Sequence, residues 1–280
     1  MPKNEKFDKI FKVMPAKEFW QNVLNRYAKE KERERKEKIE KIRKQFIIES
    51  EKELRIGPVF NPDDLKRRRG HDFENLTAYL IKRSCLFGKE AKVYLASKHD
   101  DGKYVDIIVY FPEENFLLAI DLTSNGDEEI LFKKLSGNYR PGIEKRKILC
   151  LPKEIEKSGK KPELIIPLVL GVDYKGFEKL EEEFLEAYSE NKIDLFLSNS
   201  FFKAFTLQLL REAKNQISDL VNVFPKEIKD KVEKVEEILK KLFLEKIKET
   251  EKDKEVEEKT DLLKSHITTF LTEPNLALQG

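Results

Sequence analysis

Two apolar runs separated by four residues constrain the fold of this chain more than any other feature. The runs are Tyr104–Phe111 (YVDIIVYF) and Phe116–Leu122 (FLLAIDL), and Pro-Glu-Glu-Asn joins them. Short, nearly continuous apolar segments are typical of strands buried on both faces of a sheet. The link between them is short enough for a hairpin. We therefore predict two adjacent antiparallel strands in the central sheet.

Helical and extended patterns on both sides of this hairpin indicate an α/β domain. Asn61-Pro62-Asp63-Asp64 has the residues of a helix start, with a capping side chain, a proline and acids near the positive end of the helix. The other elements predicted around the hairpin are a helix over Asn61–Phe87, a strand over Ala91–Ala96, a helix over Glu128–Leu135 and strands over Lys147–Leu151 and Leu164–Val172.

The composition changes at both ends of this α/β segment. Ala28–Lys44 consists almost entirely of Lys, Arg and Glu, which is typical of a solvated helix or a helical bridge to another body. Beyond Asp173 the apolar spacing is helical throughout. We therefore expect a charged helical N-terminal arm over residues 1–57, a core over 58–175 and a helical C-terminal region over 176–280.

Composition excludes several classes of protein. The 280 residues contain no apolar run long enough for a membrane span, and the first residues lack the apolar block of a secretory signal. Two Cys and three His are too few for a structural zinc site or a disulfide framework. We expect a soluble, cytoplasmic protein without membrane contact. A net charge of +2 neither supports nor excludes nucleic acid as a partner.

Each apolar run contains one aspartate, Asp106 in the first and Asp121 in the second. A carboxylate in a buried strand is costly unless it is paired, hydrogen-bonded or bound to a metal. A hairpin brings the two side chains together, and two close carboxylates repel unless a cation lies between them. Oxygen ligands of this kind suit Mg²⁺, which keeps several waters and bridges to phosphate.

Further charged residues lie upstream of the strands. Glu74, on the helix before them, is available as a third acid. Four consecutive cations, Lys66, Arg67, Arg68 and Arg69, precede it closely. This basic run is either a phosphate-binding group beside the carboxylates or a solvated first helical turn.

These residues together resemble the PD-(D/E)xK nuclease superfamily, which has the restriction-endonuclease-like fold. The residues that carry the resemblance are Gly70 and Glu74 on the helix, Ser97, Asp101 and Asp106 leading into a strand, and the apolar-apolar-Asp-x-Thr segment that ends at Thr123. The resemblance covers about Asn61 to Asp173. It implies an αβββαβ core with a mixed sheet, here with helical N- and C-terminal extensions.

The resemblance also implies roles for individual residues. Asp106 matches the first strand acid of the family, which binds metal, and Asp121 matches the (D/E) position. Glu74 matches the helix acid that ligates the metal directly or through water in many members. The backbone carbonyl of Leu122 takes the usual main-chain ligand position. The implied cofactor is Mg²⁺ or Mn²⁺.

The chain departs from the family pattern at the third motif position, where Thr123 replaces the lysine that orients and polarises the attacking water. In one explanation the lysine has moved to a neighbouring element, with Lys133 and Lys134 as catalytic candidates and Lys103 as a third. In the other explanation catalysis is lost and a binding module remains.

Two functions are consistent with the sequence. The first is a metal-dependent nuclease that hydrolyses phosphodiester bonds in nucleic acid, with DNA favoured over RNA. The alternative is a catalytically degenerate nuclease fold that serves as a binding or structural module in a larger assembly. In either case the charged helical arms are candidates for binding a protein partner or for self-association.

Overall fold

The computed structural model describes residues 16–57, 69–97, 105–123, 150–159, 161–221 and 226–250, together with Glu255, Val256 and Lys259. The helices in this part of the chain are α1 (Ala16–Leu54), α2 (Arg69–Arg83), α3 (Lys153–Ser158), α4 (Tyr174–Ser189), α5 (Ile193–Ser198), α6 (Ser200–Leu220) and α7 (Lys226–Thr250). The strands are β1 (Lys92–Leu95), β2 (Ile107–Phe111), β3 (Phe116–Thr123) and β4 (Leu164–Gly171).

In the described part of the chain the strands form one four-stranded sheet in the order β1-β2-β3-β4. β1 is antiparallel to β2, β2 is antiparallel to β3, and β4 is parallel to β3. The protein is therefore an α/β protein with a mixed sheet and helical regions on both sides of it in the chain, which confirms the predicted class at this level.

The predicted hairpin is confirmed. Ile107 of β2 pairs with Ile120 of β3, and Phe111 pairs with Phe116 beside the turn. Asn115 closes that turn with a φ of 55°, a left-handed conformation that Asn tolerates better than most residues. Its side-chain amide donates to the carbonyl of Lys161 at 3.1 Å, which ties the turn to the segment before β4.

Other predicted elements differ from the structure or fall outside it. The start of the Asn61–Phe87 helix and the whole Glu128–Leu135 helix lie outside the described residues. The Lys147–Leu151 strand lies outside them except for its last two residues, which belong to no strand. The short helix α3 follows instead, between Pro152 at its N-terminus and Gly159, which has a φ of 66° at its C-cap.

The two faces of the sheet pack against different parts of the chain. On one face Ile108, Leu117 and Ala119 form an apolar cluster with Ile56 and with Ile155 of α3. α2 packs against β1 and β3, and α6 packs against β4. The central strands are buried along their whole length, as their nearly continuous apolar sequences require.

An aromatic cluster joins the last part of α1 to α2 and α4. The ring of Phe46 lies 5.2 Å from that of Tyr79 and 4.9 Å from that of Phe184. Tyr188 also packs on Phe46, and its hydroxyl donates to the carboxylate of Glu49. Burial and this hydrogen bond raise the pKa of Tyr188. The C-terminal turns of α1 are thus part of the core.

A buried polar network fixes the same region. The Ser50 hydroxyl donates to Oδ1 of Asn75 at 2.9 Å, and the Asn75 amide donates to Oε1 of Glu51 at 3.1 Å. Arg55 pairs with both oxygens of Glu51, at 2.9 and 2.5 Å, and donates to the carbonyl of Ala96 at 2.6 Å. Each charge in this network has an opposite charge or a hydrogen-bond partner, as buried charges require.

The chain divides into two compact units, Met1–Arg43 and Lys44–Gly280. Residues 44–57, expected in the N-terminal arm, belong instead to the same unit as the sheet. The physical reason is that Phe46, Ile47 and Leu54 are buried apolar side chains, which the preceding charged run lacks. The exposed charged stretch is confined to the first unit, where residues 24–38 are all exposed.

The C-terminal helices follow the predicted apolar spacing. Phe205, Leu209 and Ile217 of α6 and Val235 and Leu239 of α7 are buried, as a helical repeat of 3.6 residues requires. No helix in the described part of the chain combines the length and the apolar character that crossing a membrane requires.

We predict that a chain starting at Lys44 folds and that a chain starting at Pro58 does not. The shorter chain lacks Phe46, Leu54 and Arg55, and removing each large buried apolar side chain costs about 2–5 kcal/mol. Urea unfolding followed by circular dichroism should give the full chain and the Lys44 truncation the same midpoint. Cooperative unfolding of the Pro58 truncation at that midpoint would contradict the assignment of residues 44–57 to the core.

Candidate functional site

Asp106 and Asp121 lie at the same end of the two central strands. Ile107 pairs with Ile120, and the two aspartates are the next residues outward on their respective strands. Asp121 shares a face of the sheet with Ala119, because side chains alternate along β3. Asp106 comes directly before the first residue of β2, and its backbone amide binds the carbonyl of Ile120, so the two aspartates lie at neighbouring positions on adjacent segments.

Asp106 is bound to the strands on both of its sides. Its backbone amide donates to the carbonyl of Ile120 at 2.8 Å, and its carbonyl accepts from the amide of Ala96 at 2.9 Å. Its side-chain oxygen Oδ2 accepts from the backbone amide of Leu122 at 2.6 Å. The carboxylate therefore binds a strand amide, and this charge-assisted hydrogen bond fixes its orientation.

Both carboxylates are shielded from solvent. Asp106 is 7% exposed and Asp121 only 1% exposed. Burial of a carboxylate is costly unless a hydrogen bond or a bound cation offsets that cost.

The residues that follow Asp121 complete this end of the sheet. Leu122, whose carbonyl is the expected main-chain ligand, pairs with Leu170 of β4. Thr123, at the position of the missing lysine, is 7% exposed and pairs with Gly171. Lys103, Lys133 and Lys134 lie outside the described residues.

Glu74 lies on α2 beside a histidine rather than in a carboxylate group. Nδ1 of His71 is 3.2 Å from Oε2 of Glu74, one helical turn away, and the two side chains are 5% and 13% exposed. The carbonyl of His71 accepts from the Asn75 amide at 2.9 Å. Of the basic run, Lys66–Arg68 lies outside the described residues, and Arg69 is the first residue of α2.

The described residues contain no group of three or more His, Cys, Asp or Glu arranged to hold a metal ion. The structure places Asp106 and Asp121 at neighbouring positions at one end of the central strands, and within the described residues it does not gather Glu74 with them into a three-carboxylate group. Two carboxylates still fit Mg²⁺, which is commonly bound by one or two protein carboxylates and completes its shell with water and substrate phosphate.

Three buried polar residues of α6, which the sequence analysis did not single out, support the outer edge of β4. Oε1 of Gln216 accepts from the amide of Val169 at 2.9 Å, and its Nε2 donates to the carbonyl of the same residue at 2.5 Å. Oε2 of Glu212 accepts from the amide of Gly171 at 2.8 Å. Gln208 donates to Oε1 of Glu212 at 2.8 Å.

These contacts lie next to the candidate site. Val169 is the β4 partner of Asp121, and Gly171 is the partner of Thr123. Gln216 thus binds the backbone of Val169 much as a further strand would. A sequence signal for this exists, because Gln208, Glu212 and Gln216 recur at intervals of four within a helix that is otherwise mostly apolar on that side.

Comparison of the chain with protein-family models, with curated proteins and with solved structures finds no match. The class that the described residues define is an α/β protein whose mixed sheet has four strands there, with two buried aspartates at one end of the central strands. The fold and this pair of carboxylates are the observations that bear on function.

We predict that Gln216→Leu lowers the free energy of unfolding by about 2–4 kcal/mol. Both backbone groups of Val169 would lose their partner, and each unsatisfied buried group costs about 1–3 kcal/mol. Urea denaturation measures the change. Arg211→Leu, at a half-buried position of the same helix, is the matched control and should change stability by under about 0.5 kcal/mol. Equal effects of the two substitutions would contradict the role of Gln216.

Proposed function

We propose that this protein is a metal-dependent nuclease that hydrolyses phosphodiester bonds in DNA, with Mg²⁺ or Mn²⁺ bound by Asp106 and Asp121. The observation that carries the proposal is the placement of two buried aspartates at the same end of adjacent central strands. A fold has little reason to bury two neighbouring carboxylates unless their charge is used.

The order of the elements supports the same proposal. α2 is followed by three antiparallel strands, and β4 then joins the sheet parallel to β3. This order agrees with the αβββαβ core expected of a PD-(D/E)xK nuclease with a restriction-endonuclease-like fold. The second helix of that core would be the Glu128–Leu135 segment, outside the described residues.

The residues at the site fit a hard divalent cation. Asp106 and Asp121 offer carboxylate oxygens, and the backbone carbonyl of Leu122 is the proposed third ligand. When bound, Mg²⁺ would supply an activated water and would polarise a phosphoryl oxygen. Asp106 is held in place by the Leu122 amide, so the ligand is oriented before any metal arrives. Glu74 contributes through water in this proposal.

The charge that Thr123 cannot supply has to come from another residue. Lys133 and Lys134 are the proposed donors to the scissile phosphate, with Lys103 as the third candidate. Lys66–Arg69, just before or at the start of α2, are proposed to contact the flanking phosphates. These assignments rest on sequence position and on the expected approach of the substrate to the two aspartates.

Two observations favour a second function, a catalytically degenerate module that binds partners without cutting DNA. Thr123 is uncharged and almost fully buried, and Asp106 already uses one carboxylate oxygen in a structural hydrogen bond. A fold that has lost its metal would keep that bond, because it holds the strand ends together. In this case the exposed charged helix would join a larger assembly.

We predict that the wild-type protein cuts supercoiled plasmid DNA in Mg²⁺ or Mn²⁺ and that Asp121→Asn slows cutting at least about 100-fold. The amide keeps the shape of the side chain but removes its charge, and losing one such stabilising group typically costs about 10²–10³ in rate. Asp194→Asn, an exposed acid on α5, is the control and should cut like the wild type. A wild type that cuts neither DNA nor RNA would favour the degenerate module, and full activity in Asp121→Asn would exclude this site.

We predict that one of Lys133→Ala, Lys134→Ala and Lys103→Ala slows cutting by about 10²–10³, because each removes a cation proposed to stabilise the transition state. Each variant is measured separately in Mg²⁺. Thr123→Lys should be neutral or harmful in the active enzyme, since two cations would then crowd one phosphate. If all three alanine variants cut as fast as the wild type, the displaced-lysine explanation is wrong.

A further inference from the structure

The exposed part of α1 carries more positive charge than the whole protein. Residues 26–43 contain nine basic and five acidic side chains, a net charge of +4, whereas the full chain has a net charge of +2. The rest of the chain is therefore slightly acidic. Within this stretch only Ile39, Ile42 and Arg43 are partly buried, and the other residues are exposed.

Four of the nine basic side chains in this stretch lie on one side of the helix. Arg26, Lys29, Arg33 and Lys36 follow at intervals of three, four and three residues, so they lie on one side of the helix and are called the basic stripe. Glu30, Glu34 and Glu37 follow at intervals of four and three on the adjoining side and are called the acidic stripe. Four cations are thus aligned along the helix axis, and most of the other basic residues of the stretch lie on other sides of the helix.

Ion pairs within the helix do not account for this arrangement. Arg33 lies 3.4 Å from Glu37, and Lys36 lies 2.7 Å from Glu32. The two basic side chains are 74% and 75% exposed, and exposed pairs of this kind contribute little free energy and exchange readily. Such pairs support the helix, but they explain neither the excess of positive charge nor its alignment.

We propose that the basic stripe binds the phosphate backbone of duplex DNA. Its four cations span about 15 Å along the helix axis, and a duplex presents about nine phosphate charges over that length. The exposed apolar side chains of this part of α1, Leu24 and Tyr27, lie outside the stripe, and phosphate contacts need only Arg and Lys. Only the choice of DNA rests on the proposed nuclease function.

The test is fluorescence anisotropy of a short labelled DNA duplex of random sequence, with EDTA present and salt varied from about 50 to 200 mM. The full-length R26Q/K29Q/R33Q/K36Q variant is compared with the wild type. We expect it to bind at least about tenfold more weakly at the lowest salt. The slope of log K against log[salt] should be shallower by about 3–4, because each phosphate contact contributes about 0.9 to that slope.

The matched control is E30Q/E34Q/E37Q, which replaces charges on the acidic stripe of the same helix. This variant should bind the duplex at least as tightly as the wild type, since it removes repulsion from the phosphates. Circular dichroism should show the same helical content in both variants and the wild type. A control variant that loses affinity as strongly as the basic-stripe variant would show a general effect on the helix and would overturn the inference.

Other outcomes separate this inference from the nuclease proposal. This inference is overturned if the basic-stripe variant keeps the affinity and the salt slope of the wild type. It is also overturned if the wild type does not bind the duplex at low salt. If polyglutamate binds as tightly as the duplex, and the basic-stripe variant loses that binding, the partner of the stripe is an acidic protein and not DNA. A protein that binds DNA through the stripe but never cuts it would keep this inference and end the nuclease proposal. If the wild type cuts DNA and the basic-stripe variant binds DNA normally, the nuclease proposal stands and this inference is overturned.

Discussion

The hydrogen bond from the Leu122 amide to the Asp106 carboxylate is the interaction on which the candidate site depends. It crosses from the start of β2 to β3 directly after Asp121, at 2.6 Å. It holds the Asp106 side chain at the strand end where Asp121 also lies, and it satisfies a buried strand amide at the same time. Without it, a carboxylate at this position would have to turn to solvent or take up a proton.

The side of β3 that faces β4 is fixed by a different set of contacts. β4 pairs with β3 along its full length, and α6 binds the backbone of β4 from outside through Gln216 and Glu212. The position of Asp121 is therefore set from both neighbouring strands. Sites of catalysis or binding need supporting groups that restrict their geometry, and here those groups are long polar side chains of a buried helix.

The sequence alone predicts part of the fold and of the candidate site, but not all of their contacts. The apolar runs predicted β2 and β3 because their length and residue types suit buried strands, and the aspartates inside them marked the candidate site. The spacing of Gln208, Glu212 and Gln216 marks one side of a helix, but it does not identify Val169 as the partner of Gln216, which lies 47 positions away in the chain. Glu51 and Arg55 fall within the segment expected to form the N-terminal arm, and only the fold shows them buried together.

Titration of the protein with Mn²⁺ by isothermal calorimetry tests the central claim most directly, because it asks whether the two aspartates bind a divalent cation irrespective of any cutting. Asp106→Asn is the informative variant, since its amide oxygen can still accept from the Leu122 amide while its charge is lost. The account predicts one ion bound per wild-type chain and an affinity at least about tenfold lower in Asp106→Asn. No binding by the wild type, or equal binding by the variant, would contradict it.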